Sequence, residues 1–216
     1  MTKALIFDLD GTIADTLPAI LVALNATMRH FGYPEHDLTA LRGFINNGAR
    51  KLVTRAMPEA ERSEAQIDAV LADYDRAYTE SYLQTIETYP GVGAAIRTLH
   101  ERGYRIAVLS NKQDYMVKGL CAQLLPGVVD IAIGQRTGYP TKPDPTVPLA
   151  IAAELGAKPS EVAFIGDSDV DMQTAKNAGF TPIGVAWGYR SPALLRETGA
   201  EAIVETAEEL TQIFTK

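Results

Sequence analysis

Three times along this chain a short, unbroken apolar run stops abruptly at polar or acidic residues, and no other feature constrains the fold as strongly. Ala4-Leu5-Ile6-Phe7 breaks into Asp8-Leu9-Asp10-Gly11-Thr12, and Ile106-Ala107-Val108-Leu109 breaks into Ser110-Asn111. Val162-Ala163-Phe164-Ile165 breaks into Gly166-Asp167-Ser168-Asp169-Val170-Asp171. Continuous apolar runs of this length, separated by helical patterns, are the mark of parallel strands buried on both faces. Ligands of such sheets bind beyond the carboxyl ends of the strands, so the three breaks predict one shared site. Asp8 and Asp10, two apart on an extended chain, project to the same side. Gly11 permits a tight turn that brings backbone N–H groups close to a ligand. Lys142-Pro143-Asp144-Pro145 adds a cation in a proline-braced loop. Carboxylates, a hydroxyl, an amide and a lysine together compose a site for phosphate and a metal ion. Taken singly, each has an ordinary alternative: a strand-end acid for Asp8, an Asx turn for Asp10, a solvated side chain for Lys142.

After Asp15-Thr16 the pattern turns helical for about 65 residues. Asp15 or Thr16 can cap a helix that Pro18 starts, with Ile20, Leu21, Leu24, Met28 and Phe31 at helical spacing and Gly32 at its end. Leu38–Phe44, Ala49–Met57 and Ala65–Tyr82 read as further helices, broken by Gly43, Asn46-Asn47-Gly48 and Pro58. A stretch without strand signal, lodged after the first strand, predicts an inserted all-helical cap over 16–85, within a core made of 1–15 and 86–216. From Pro90 strands and helices alternate. Strands are predicted at Tyr104–Leu109, Val128–Gly134, Glu161–Ile165 and Thr181–Val185, with Ala202–Val204 at an edge. The expected architecture is therefore α/β: a doubly wound, Rossmann-like parallel sheet core with a small all-α cap domain inserted after the first strand.

Bulk properties narrow the function. A net charge of -7 without any Lys/Arg cluster speaks against nucleic acid as a partner. An acidic protein that handles an anion has to neutralise it locally, with a metal and a few cations. The single Cys121 excludes an intrachain disulfide and suits a reducing compartment. No run is long enough to span a membrane, and the N-terminus leads into a strand without a leader pattern. A cytoplasmic protein is expected. His30, His36 and His100 all fall outside the motifs, which disfavours a zinc or iron hydrolase.

In order and spacing the four segments resemble the four motifs of the haloacid dehalogenase superfamily of phosphotransferases, from Lys3 to the C-terminal helix. Asn46-Asn47-Gly48-Ala49 with Leu52-Val53, and Tyr89-Pro90-Gly91-Val92, are similar to its phosphoglycolate phosphatase branch, although that branch commonly has Gly-Asn-Gly where this chain has Asn46-Asn47-Gly48. The resemblance implies that Asp8 is the nucleophile and Asp10 the general acid and later base. It implies Mg²⁺ held by Asp8, Asp167 and the backbone carbonyl of Asp10, since hard oxygen donors select that ion. Lys142 would offset the phosphate and Asp8 charges. Ser110 and Asn111, with backbone groups near Leu9 and Asn111, would cradle phosphate oxygens. Asp171 would bond Lys142 or a metal-bound water, and Asp169 would support the helix N-terminus. In the cap, Arg42, Asn46, Asn47 and Arg50 are the polar candidates for substrate contact.

The implied activity is Mg²⁺-dependent hydrolysis of a small phosphorylated metabolite, such as phosphoglycolate, by a monomer or homodimer. A sugar-phosphate mutase or a pyrophosphatase would share every core motif. A phosphonate hydrolase would need Lys51, the only lysine of the helical segment, as a Schiff base. A dehalogenase would have no use for Asp10 and the metal-site acids. A ligand-binding regulatory module would usually have lost Asp8, Asp10 or Lys142.

Overall fold

The computed structural model describes residues 2–45 and 47–214, with backbone alone at 81 and 83–85. Asn46, named above as a cap candidate, lies outside the described residues. The chain divides into two compact units, Met1–Asp15 with Glu87–Lys216, and Thr16–Ile86.

In the first unit, β1 (Ala4–Phe7) lies at the centre of a parallel sheet. β2 (Arg105–Gln113) and β3 (Ile131–Gln135) follow on one side; β4 (Val162–Gly166), β5 (Thr181–Val185) and β6 (Ala202–Val204) follow on the other. Ile6 sits opposite Ala107 on β2 and Phe164 on β4, and all three are fully buried. That explains the unbroken apolar runs: the central strands have no face toward water. The strand order β3-β2-β1-β4-β5-β6 reverses direction between β1 and β4. Ligand sites of doubly wound sheets lie at such a reversal, and here the acidic segments follow the two strands that flank it.

The strand boundaries differ from expectation at β2 and β3. β2 continues past Leu109 to Gln113, which pairs with Gln135 after a register shift. β3 begins at Ile131, because Val128 N–H closes a turn onto Leu125 O at 3.2 Å and Asp130 Oδ2 accepts the Ile106 N–H at 2.8 Å.

The second unit holds α1 (Leu17–His30), α2 (Leu38–Phe44), α3 (Ala49–Ala56) and α4 (Glu64–Thr85). Pro18 sits in the first turn of α1, but Thr16 at the N-cap makes no side-chain capping bond. Asp37 does cap α2, accepting from Ala40 N–H at 2.8 Å, and Ser63 caps α4. Leu24, Met28, Leu41, Val53 and Val70 are buried in this unit. Along α4, Tyr74, Tyr78 and Tyr82 recur every four residues on one face and stack with centroids 5.7 and 5.8 Å apart.

Back in the first unit, α5 (Val92–Glu101), α6 (Asp114–Leu124), α7 (Thr146–Glu154), α8 (Asp169–Ala178), α9 (Pro192–Thr198) and α10 (Ala207–Ile213) alternate with the strands. Among the described residues, no helix is long and apolar enough to cross a membrane.

Candidate active site

Asp8 is the first residue beyond β1, and its N–H donates to Ile165 O on β4 at 2.9 Å. The chain then turns tightly: Ile13 and Ala14 N–H both reach Leu9 O, at 2.9 and 3.0 Å, and Gly11 N–H reaches Ala14 O at 2.9 Å. Gly11 has φ +91°, and a Cβ there would collide with the Asp167 carboxylate, so glycine is required twice over. Leu9 is buried under this turn.

Asp167 follows β4 and is wholly buried. Its Oδ1 accepts from the Thr12 hydroxyl at 3.3 Å, and its Oδ2 accepts from Tyr189 N–H at 2.7 Å. The segment after β5 therefore wraps the carboxylate. Trp187 Nε1–H donates to Thr12 O at 3.0 Å, and a Cβ on Gly188 would strike Asp167 and Gly11 O. None of Thr12, Trp187, Gly188 and Tyr189 was anticipated from sequence. The available signal was a glycine between two aromatics just past a strand end.

Lys142 is held in place from two directions. Asn111 clamps its backbone, with Oδ1 accepting from Lys142 N–H at 2.9 Å and Nδ2 donating to Lys142 O at 3.2 Å. The Asn111 amide, expected on a phosphate oxygen, thus positions the lysine. The buried ammonium lies 2.6 Å from Asp171 Oδ1 and 2.8 Å from Asp8 Oδ1. Asp171 Oδ2 accepts from Ser168 N–H at 3.0 Å and from its hydroxyl at 2.5 Å, in a reciprocal box at the start of α8. Asp171 therefore serves the lysine and the helix end. Asp169, half-exposed, lies 3.7 Å from Arg190.

Charge is unevenly balanced here. Oxygens of Asp8, Asp167 and Asp171 lie within 4.8 Å of one another, with the Lys142 ammonium between two of them. Burial, and next the Asp171 charge, push the Asp8 carboxyl up to about 7 against the opposing pull of Lys142. Burial, Asp171 and Asp8 raise Asp167 well above the ordinary carboxylate range. Lys142 moves the other way in effect: burial works against its charge, but Asp171 and Asp8 outweigh it and raise its pKa. Two like charges at 4 Å repel by about 4 kcal/mol at an effective dielectric of 20. An oxygen-only donor set with this surplus of negative charge fits a hard divalent cation held by Asp8 and Asp167.

Asp10 belongs to a second charge pair. Its Oδ1 lies 2.8 Å from Lys112 Nζ, and its Oδ2 accepts from the Ser110 hydroxyl at 3.4 Å. Lys112, the residue after the predicted Ser110-Asn111 pair, was missed because the strand was expected to end at Leu109. The remaining candidates belong to the second unit. Arg42 is exposed on α2, Asn47 is exposed in the turn before α3, and the Arg50 guanidinium bonds Glu64 and Asp68 at 2.5 Å each.

The chain is similar to known proteins over most of its length. The profile of the family described as haloacid dehalogenase-like hydrolase matches residues 5–185. The chain is 34% identical over 194 residues to the phosphoglycolate phosphatase of Pseudomonas putida KT2440, covering 88% of this chain and 71% of that protein. It is 31% identical over 215 residues to phosphoglycolate phosphatase 1 of Pseudomonas aeruginosa PAO1, covering 97% and 79%. A crystal structure from Lactobacillus delbrueckii subsp. bulgaricus, provisionally assigned as a phosphoglycolate phosphatase, has a TM-score of 0.92 at 32% identity, covering 99% of this chain and 98% of that one. The matched profile takes in both acid-tipped strands at the sheet reversal and the whole helical unit between them, and the chain belongs to the haloacid dehalogenase-like hydrolase family.

Proposed function

We propose that this protein is a Mg²⁺-dependent phosphatase that hydrolyses a small phosphomonoester through an aspartyl-phosphate on Asp8, with 2-phosphoglycolate as its preferred substrate. The observation that carries the reading is the buried cluster in which Asp8 shares the Lys142 ammonium with Asp171 and lies beside Asp167. In the first step an Asp8 oxygen bonds to phosphorus while the bond from phosphorus to the leaving oxygen breaks, and Asp10 gives that oxygen a proton. In the second, Asp10 takes a proton from water as the water oxygen attacks phosphorus, releasing inorganic phosphate and regenerating the Asp8 carboxylate. Lys142 offsets the negative charge on Asp8 and the transferring group throughout. Asp8, Asp167 and the Asp10 carbonyl would hold Mg²⁺, whose contribution when bound is charge neutralisation on the phosphoryl oxygens.

The substrate assignment is supported by curated relatives named phosphoglycolate phosphatase at 31 and 34% identity. Selectivity among substrates is assigned to the helical unit. Arg42 or Arg50 pairs with the substrate carboxylate, Arg50 after leaving Glu64 and Asp68. The lone, buried Cys121, its thiol pushed up to about 12 by burial, suits a reducing cytoplasm. The test is kcat/KM for 2-phosphoglycolate, pyrophosphate, a hexose phosphate and a nucleotide in wild type, Arg42→Ala and Arg50→Ala. 2-Phosphoglycolate should rank first, and Arg42→Ala or Arg50→Ala should lose more on it than on the sugar. If it ranks last, the substrate assignment falls and the general phosphatase reading stands.

A further inference from the structure

We propose that Lys112 is a positioning residue that holds the Asp10 carboxylate in the orientation needed for proton transfer, an inference that rests on the phosphatase reading above. The Lys112 side chain is only 8% exposed, and its ammonium lies 2.8 Å from Asp10 Oδ1. Lysines are rarely buried unless paired, and a buried ion pair contributes little net stability over apolar residues of the same volume. Its value here is geometric. Lys112 N–H donates to Ser110 Oγ at 3.2 Å, and that hydroxyl donates to Asp10 Oδ2 at 3.4 Å. One residue thus reaches both Asp10 oxygens, directly through Nζ and indirectly through Ser110. The bond to Oδ2 is the longer, so Oδ2 is the oxygen that exchanges a proton while Oδ1 stays anchored.

The backbone beneath Lys112 is shaped for this purpose. The register shift between Leu109 and Gln113 lies directly under it, and irregularities of this kind re-aim side chains at the ends of strands. Gly134 on β3 lets the two strands come together, since a Cβ there would strike Lys112 O and the Asp114 backbone at 2.5–2.7 Å. Asp114 Oδ1 then accepts the Gly134 N–H at 2.9 Å. Burial, bulge and close-packed glycine converge on one lysine that contacts Asp10 and is distinct from the lysine beside Asp8.

In the transfer to Asp8, a residue that acts through Asp10 matters only where the leaving oxygen needs a proton; its role as base toward water is common to all substrates and falls after that step. The test is therefore kcat/KM, which reports phosphoryl transfer to Asp8, on three substrates: 2-phosphoglycolate, ethyl phosphate and p-nitrophenyl phosphate. The proteins are wild type, Lys112→Met, Lys112→Gln, Lys112→Arg, Asp10→Asn and the Asp10→Asn/Lys112→Met double variant, each checked for native melting. Lys112→Met and Lys112→Gln should lose at least about tenfold more on both alkyl esters than on p-nitrophenyl phosphate, within the range that general acid catalysis contributes. Lys112→Arg should recover part of the loss, and the double variant should be no slower than Asp10→Asn alone. Equal losses on all three substrates, or single losses that multiply in the double variant, would overturn the proposal. A loss confined to 2-phosphoglycolate would also overturn it, by showing that Lys112 binds the substrate carboxylate. Failure of the underlying reading looks different: wild type would release phosphate from none of the three.

Discussion

Lys142 Nζ lies closer to Asp171 than to Asp8, 2.6 Å against 2.8 Å. The cation beside the proposed nucleophile is thus anchored by a second carboxylate. That carboxylate is itself fixed by Ser168 at the start of α8. Lysine position is set from the helix.

Removing the anchor should therefore damage folding and activity together. Asp171→Ala leaves the Lys142 ammonium with Asp8 alone and the Ser168 donors without their partner, and breaking a buried pair costs about 3–5 kcal/mol. Urea denaturation should show a loss of that size, larger than for Asp171→Asn, which keeps an acceptor for Ser168. A loss below about 1 kcal/mol, the scale of an exposed pair, would contradict the anchoring role.

The raised Asp8 carboxyl makes the chelated protein pH-sensitive with a definite sign. Its folded value is about 7 against an ordinary 3.8, so the folded chain holds a proton that the unfolded chain has released. The stabilisation is fully present below the ordinary value and is lost as pH rises toward 7; Asp167 shifts in the same direction. The melting temperature in chelator should fall over this window, and the fall should be shallower in Asp8→Asn. An identical slope in both proteins would contradict the assignment.

Metal choice follows from the donor set. Chelation should abolish phosphate release reversibly, and Mg²⁺ should restore it far better than Ca²⁺, which takes more oxygens at longer distance. Equal rates with both ions would contradict holding by Asp8, Asp167 and the Asp10 carbonyl.

Two glycines should respond in opposite directions. A Cβ at Gly188 meets Asp167 and Gly11 O, so Gly188→Ala should destabilise by about 1–3 kcal/mol through overpacking and weaken metal-dependent activity. Gly43, within α2 and with nothing near its Cβ direction, should gain about 0.5–1 kcal/mol on Gly43→Ala. Denaturation of both variants checks the pair.

These residues also show where sequence was sufficient. β1 and β4 were legible because a strand buried on both faces must be apolar throughout, and the acids at their ends mark the break. Asp171 was expected to bond Lys142 or a metal-bound water, and the structure pairs it with Lys142. Lys112 was hidden because a bulge carries β2 past its apolar run, and periodicity does not register bulges. Trp187, Gly188 and Tyr189 were hidden for a different reason: their contacts with Thr12 and Asp167 are close packing and bonds that each join one side chain to one backbone group across more than twenty positions of sequence, which local pattern does not encode.

The most direct test of the two-step mechanism is the stereochemical course at phosphorus, measured with a phosphorothioate monoester made chiral by two oxygen isotopes and hydrolysed in water of the third. Transfer to Asp8 and then to water inverts the centre twice, so the released thiophosphate should show retention of configuration. Inversion would mean that water attacks the ester directly, and Asp8 would not be the nucleophile.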